Sequence, residues 1–135
     1  MTSSRRVIAP WPGDDQIAYL QGGIETTGGK ILWLSGTTAT RERQAQHVGD
    51  IAAQAVLALE KTGESLREAG YEWSDVVRLN WYVKASHLDE FWAVGNDAVG
   101  RFLADAGCKA AGVFLAVASL AHPDVLCEFE ATAVK

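Results

Sequence analysis

A carboxylate set in an apolar run is the first place to look for chemistry in this chain. Glu128 falls in the stretch 112–135, GVFLAVASLAHPDVLCEFEATAVK, where Val125, Cys127, Phe129 and Ala131 alternate with Leu126, Glu128 and Glu130 as on a strand. Burying an unpaired carboxylate costs several kcal/mol in effective terms, so Glu128 needs a reason to be there. Either backbone N–H groups or a cation satisfy it, or it lines a pocket and handles protons. A second group is Ser35-Gly36-Thr37-Thr38, a strand exit carrying hydroxyls. Tyr19, Trp33 and Trp81 are aromatics that could wall a small apolar pocket around such groups.

Other chemistries lack their residues. His47, His87 and His122 stand apart from one another and from cysteines at ligand spacing, so no metal site is predicted and no cofactor is expected. Gly28-Gly29 is not followed by a helix that could receive a phosphate. Nothing in the spacing joins Ser35, Cys108 or Cys127 to a histidine as a nucleophilic triad would require. The formal charge of -5, the pI near 5.1 and the scattered Lys and Arg argue against a nucleic-acid surface. No run approaches the ~18 apolar residues of a membrane span, there is no apolar leader, and two cysteines are ordinary for a reduced compartment. The expectation is a soluble, cytoplasmic protein that binds a small molecule.

The elements that would position these groups follow from periodicity. At 135 residues one domain, 1–135, is the economical reading, enough to bury roughly two thirds of the surface of the unfolded chain. Arg6 to Ala9 reads as a short edge strand. Strands at Tyr19 to Thr26 and Lys30 to Ser35 read as a hairpin through Thr27-Gly28-Gly29-Lys30, because glycine supplies positive φ without penalty. From Asp50 to Ala69 apolar residues recur at three and four, with Asp50 as N-cap and Gly70 as stop. Val76 to Val83 alternates as a strand. A second helix begins at Ser86 with Asp89 in a capping-box pattern, buries Leu88, Phe91, Trp92, Gly95, Ala98, Val99, Phe102 and Leu103, and ends at Gly107. Val113 to Leu120 and the Glu128 strand then form a closing hairpin through Pro123-Asp124, with almost nothing polar on either face of its first strand. A mixed sheet with both helices on one face is the simplest α+β arrangement. Its other face would be apolar and open, which predicts an oligomer with the sheets facing inward.

These motifs, in this order, resemble the RidA (YjgF) family of reactive-intermediate deaminases over essentially the whole chain. Tyr19-Leu20-Gln21 resembles its N-terminal Tyr-x-Gln, Leu34-Ser35-Gly36 its strand-end Ser-Gly, and Gly49-Asp50-Ile51-Ala52-Ala53-Gln54 its helix start. Ala69-Gly70 with Trp73-Ser74-Asp75-Val76-Val77 is similar to its Ala-Gly and Asp-Val-Val runs, and Cys127-Glu128-Phe129-Glu130-Ala131-Thr132-Ala133 to its Glu-Ile-Glu-Ala-x-Ala signature. The resemblance implies a chorismate-mutase-like fold and a homotrimer with clefts between subunits. It also implies hydrolysis of imines or enamines without metal or cofactor. On it, Glu128 matches the family's acid, Ser35 and Gly36 its strand-end contact and Tyr19 its pocket aromatic; Trp81, Gly112 and Phe114 are further candidates for binding substrate.

One departure bears on the substrate. Typical family deaminases carry an arginine in a Pro-Ala-Arg-Ser run, where its fork holds a substrate carboxylate bidentately. Here the run is Lys109-Ala110-Ala111-Gly112-Val113, so Gly112 takes the arginine's place and Phe114 that of a small residue. The insertion Ala121-His122-Pro123-Asp124 resembles a branch of the family that also lacks the arginine. Either the substrate lacks the carboxylate, or another cation such as Lys109 or Arg78 substitutes, or the activity differs. A non-catalytic binding or regulatory trimer is the alternative, and ribonuclease or translation-inhibitor activity is disfavoured by the acidic charge.

Overall fold

The computed structural model describes residues 4–13, 16–19 and 21–135. Its main sheet has the order β3-β9-β7-β8, with β3 (Ile31–Trp33), β7 (Val76–Lys84), β8 (Phe114–Val117) and β9 (Cys127–Val134). The two-residue strand β4 (Thr37–Thr38) continues the β3 side of β9. β9 runs antiparallel to β7, from Val83 opposite Cys127 to Val76 opposite Ala133, whereas β7 and β8 are parallel, with Trp81 opposite Phe114. The sheet is therefore mixed, as expected.

Two expected hairpins are not formed. β7 lies between β8 and β9, so the two C-terminal strands are not neighbours. Alternation specifies which face a side chain takes but not which strand lies alongside. Likewise, β2 (Gly23–Thr27) pairs with β1 (Ser4–Ile8) in a separate two-stranded sheet, while β3 pairs with β9. The Gly28-Gly29 turn is real, with φ of 69° and 81°, but it passes the chain from one sheet to the other. Of the expected strand from Tyr19, Leu20 lies outside the described residues and Tyr19 lies in a turn. The Arg5 guanidinium fastens β1 to the body by donating to the carbonyls of Ser74 and Lys109. β5 (Thr40–Arg41) and β6 (Gln44–Ala45) make a small hairpin beside α1.

Both helical segments pack on one face of the main sheet. α1 (Ile51–Glu68) starts where the Asp50 carboxylate accepts from the Ala53 N–H at 3.0 Å, and the chain leaves it at Gly70, with φ of 83°. Its buried stripe of Ile51, Ala55, Ala58, Leu59 and Leu66 meets Phe129, Ala131 and Val83 of the sheet in one core. Gln54, fully buried, ties α1 to the segment before β9: its amide donates to the Asp124 carbonyl at 2.8 Å and its carbonyl accepts from the Leu126 N–H at 2.9 Å. Truncating Phe129, at the centre of this core, to alanine would cost about 3–5 kcal/mol.

The second helical segment runs from α2 (Leu88–Glu90) through a widened π turn, Phe91–Gly95, into α3 (Asn96–Ala106). The capping box expected at Ser86 and Asp89 is absent; the Ser86 hydroxyl bonds the neighbouring His87 Nδ1 at 2.8 Å instead. A reciprocal box forms earlier, between Glu72 and Asp75 ahead of β7. Gly95 is required inside the π turn, because a Cβ there would stand 2.6 Å from the Phe91 ring. Phe91 is fully buried as a result, and Gly107, with φ of 74°, ends α3.

The opposite face of the sheet is open. Ile31 and Trp33 of β3 are 54% and 75% exposed, Leu115 of β8 is 48% exposed and Val113 ahead of it is 49% exposed. β8 thus does not lie covered on both sides as its sequence suggested. Glu128, Glu130, Asn80 and Tyr82 share the open face with these apolar groups, because β7 and β9 place their alternate residues there.

Candidate functional site

The open face holds two carboxylates two residues apart with opposite surroundings. Glu130 accepts from the Asn80 side-chain amide at 3.0 Å and from the Tyr82 hydroxyl at 2.8 Å. Those two hydrogen bonds hold its carboxyl below the usual carboxylate range. The same bond and negative charge raise the Tyr82 phenol. Asn80 works in both directions, since its Oδ1 accepts from the Val113 N–H at 3.2 Å and from Arg78 at 3.3 Å. The network is thus anchored to the backbone beside β8.

Glu128 has neither kind of support. Among the described residues its side chain makes no hydrogen bond or ion pair, and burial together with the nearby Glu130 charge pushes its carboxyl up. It sits opposite Tyr82 on one side and Thr38 on the other. Its carboxylate rests on the bare backbone of Gly36: a Cβ built there would lie 1.9 Å from Oε2. Gly36 therefore serves this carboxylate by having no side chain. Ser35 is exposed next to it, and its carbonyl accepts from the Thr37 hydroxyl at 3.3 Å. Glu128 and Gly36, with Ser35 beside it, thus lie together in the fold.

The remaining candidates meet elsewhere. Tyr19, Trp81, Gly112 and Phe114 all line a cavity of about 420 Å³ beside the edge strand β8, roofed by the second helical segment. The Tyr19 and Trp81 rings meet edge to face at 5.1 Å, and Trp81 also contacts Phe114 at 6.1 Å. Glu128, Ser35 and Gly36 do not line this cavity, so within one chain the candidate residues fall into two groups. Trp33 belongs to neither and projects from the open face.

Trp92 and Asn96 are among the cavity residues that the sequence did not mark as such. Trp92, expected in the core, is 54% exposed and lies over Phe114 with ring centroids 5.0 Å apart. Asn96, one turn on, points its amide at the Tyr19 hydroxyl at 3.5 Å. The π turn between them carries one residue more than an α-helical turn and so re-aims this part of the helix, a shift no apolar periodicity reports. Cys108 also borders the cavity, but burial raises its thiol to about 12, and the same holds for Cys127 behind Glu128. Neither is a nucleophile at neutral pH.

Gly112 carries the sharpest constraint. A Cβ there would stand 1.8 Å from the carbonyl oxygen of Leu79 and 2.7 Å from its carbon. The backbones of β7 and of the segment entering β8 are held together on either side, by Leu79 N–H to the Ala111 carbonyl at 2.8 Å and Trp81 N–H to the Val113 carbonyl at 2.9 Å. No side chain of any kind fits at position 112 with these strands in place. Among the described residues, no cluster of three or more His, Cys, Asp or Glu is arranged to hold a metal ion, and no helix is long and apolar enough to cross a membrane.

The model of the family described as Endoribonuclease L-PSP matches residues 15–135. No curated protein sequence matches the chain. Among solved structures, YyfB of Yersinia pestis, a member of the conserved Rid protein family, is 32% identical, with 97% of this chain and 98% of that one covered and a TM-score of 0.85. Rv2704 of Mycobacterium tuberculosis, of the YjgF/YER057c/UK114 family, is 27% identical over 98% of this chain and 100% of that one, with a TM-score of 0.58. The YjgF gene product of E. coli is 27% identical over 80% of this chain and 82% of that one, with a TM-score of 0.68. Two helices on one face of a mixed sheet, the Glu128 strand at its centre and these likenesses agree: the chain has the chorismate-mutase-like fold and belongs to the Rid/YjgF family, the family described as Endoribonuclease L-PSP.

Proposed function

We propose that this protein hydrolyses a reactive imine or enamine, without metal or cofactor, in a cleft formed between copies of the chain. The observation that carries this reading is Glu128: a half-buried carboxylate without a bonding partner among the described residues, raised toward neutrality by burial and resting on a glycine. A carboxyl raised in that direction is a better proton acceptor than an ordinary carboxylate, whereas its neighbour Glu130 is engaged by Asn80 and Tyr82. Family membership supports a small-molecule deaminase or binding role, and the family is generally homotrimeric.

The step balances with these groups alone. Glu128 takes a proton from a water whose oxygen bonds to the carbon of the protonated imine, giving a carbinolamine. The carboxylic acid then returns that proton to nitrogen, and as the C–N bond breaks the carboxylate takes the hydroxyl proton, leaving a carbonyl compound; the acid passes this proton to the departing ammonia or amine and is restored as carboxylate. A positioned general base of this kind contributes roughly 10²- to 10⁴-fold. A cleft between copies would supply the walls, because Ile31, Trp33, Val113 and Leu115 leave the open face apolar and the cavity at β8 lies away from Glu128 within one chain. Ser35 and Gly36 would border the carboxylate, and Tyr19, Trp81, Gly112 and Phe114 the substrate.

Ammonia release from a panel of imines generated in situ tests the proposal. Activity in the native protein that Glu128→Gln abolishes is the expected outcome, and activity unchanged in that variant refutes the assigned role. A binding or regulatory protein without turnover is the second reading, favoured by the absence of any charged side chain among the described residues lining the cavity. Saturable binding with no turnover across the panel would support it. The endoribonuclease activity in the family's description has less behind it here, since a net charge of -5 opposes phosphate contacts.

A further inference from the structure

The cavity beside β8 has a chemistry of its own. We propose that it takes an uncharged ligand bearing an aromatic or branched apolar group, so that the substrate or effector of this protein carries no carboxylate. This rests on reading the Rid-type cleft as a small-molecule site, and it names the class of molecule.

Three observations carry it. First, position 112 is closed to every side chain by the Leu79 carbonyl, 1.8 Å from where a Cβ would stand, so no cation can be presented from there while β7 and the segment entering β8 stay bonded. Second, the described residues lining the cavity include no Lys, Arg, His, Asp or Glu; the side-chain polar groups on offer are neutral, the Tyr19 hydroxyl and the Asn96 amide among them. A carboxylate entering would lose its water and gain no partner charge from these residues, which is strongly unfavourable. Third, the walls are rings: Trp81 meets Tyr19 edge to face and Trp92 lies tilted over Phe114 at 5.0 Å, leaving about 420 Å³ between flat apolar surfaces. That volume lies within the range of small-ligand pockets. Asn96 and Tyr19 provide a donor and an acceptor at one end, enough to orient a carbonyl, amide or imine group.

Calorimetric titration with three matched probes tests this: phenylacetamide, phenylacetate and 2-phenylethylamine, which share a ring and differ in charge. The expected result is saturable binding of the amide at least about tenfold tighter than of the carboxylate or the ammonium. Trp92→Ala, at an exposed position and so without threat to the fold, should weaken amide binding about tenfold by removing one wall. Equal or tighter binding of phenylacetate overturns the inference, as does tighter binding of the amine, binding of none of the three, or amide binding unaffected by Trp92→Ala. Because binding is read without turnover, this outcome separates from that of the hydrolysis proposal. A protein that prefers the amide yet releases no ammonia from any imine refutes hydrolysis alone. One that binds phenylacetate as tightly while hydrolysing carboxylated imines through Glu128 refutes this inference alone.

Discussion

Replacing Gly112 with alanine adds one methyl group, and its surroundings set the size of the effect. The methyl carbon would stand 1.8 Å from the Leu79 carbonyl oxygen, where real contacts do not fall below 3.0 Å. The obstacle is backbone, so the two strands must part by more than about 1 Å, enough to take both flanking hydrogen bonds, Leu79 to Ala111 and Trp81 to Val113, out of range. Two such bonds at roughly 1 kcal/mol each, with loosened packing of Trp81 on Phe114, give a loss of about 2–4 kcal/mol. For a chain of this size that corresponds to a Tm lower by roughly 6–15 °C. Thermal unfolding followed by circular dichroism, at one protein concentration because any self-association would shift Tm, reads this directly. Gly36→Ala is the matched comparison. Its Cβ would also collide, at 1.9 Å, but with Glu128 Oε2 at the tip of a side chain that can swing away. Its Tm should stay within about 3 °C of the parent while any Glu128-dependent activity falls. A Gly112→Ala protein that melts as the parent does would refute the reasoning, and with it the claim that position 112 is closed to an arginine.

Other outcomes follow from the same geometry. The Glu128 carboxyl is raised in the fold, so ionising it opposes folding: the folded state holds this proton more tightly than the unfolded chain, and the resulting stabilisation at low pH is lost as pH rises through the raised value. Glu128→Gln should therefore melt at or above the parent Tm at neutral pH, with the difference vanishing in acid, and activity that depends on the carboxylate should rise across that same range. Glu130 behaves in the opposite sense. Its carboxyl is depressed by Asn80 and Tyr82, so its stabilisation is present above the ordinary carboxylate pKa and lost as pH falls; Tyr82→Phe should raise its midpoint in a carboxyl NMR titration. Leu115→Asp, on the exposed part of the open face, should weaken self-association at least about tenfold in sedimentation equilibrium without unfolding the chain. Cys108 and Cys127, with thiols pushed up to about 12, should react with a disulfide reagent at pH 8 only as fast as the protein unfolds.

Much of the fold is legible in local pattern, and what is not has a common cause. Asp50, the spacing of Ala55, Leu59 and Leu66, and Gly70 specify α1 because capping and amphipathicity act within a few residues. The alternation in Val76–Lys84 and Cys127–Val134 likewise places Glu128 and Glu130 on one face. Neighbour relations are long-range, so nothing local reveals that β7 separates β8 from β9 or that the Gly28-Gly29 turn joins two sheets. The same holds within the site. Glu128 was conspicuous because its neighbours in sequence are apolar, but what distinguishes it from Glu130 is Asn80 and Tyr82, some fifty residues earlier. Gly112 was conspicuous against a resemblance, yet the reason a side chain is excluded is the Leu79 carbonyl on another strand. Trp92 misled because an apolar residue at helical spacing reads as core, and the π turn at Phe91–Gly95 rotates it onto the cavity.

The position of β9 has a consequence for how the chain is made. Its residues, among the last in the sequence, form neither edge of the sheet but fill the place between β7 and the β3 and β4 segments, ending where Lys30 and Lys135 exchange backbone hydrogen bonds. During synthesis the parallel β7–β8 pair and both helices can assemble first, presenting the free edge of β7, while β3 and β4 wait without a partner. The sheet is joined only when Cys127–Val134 leaves the ribosome and slides into a slot whose two walls were made earlier. Loop closures of this length are slow, and an open edge is the kind of surface on which nascent chains pair wrongly.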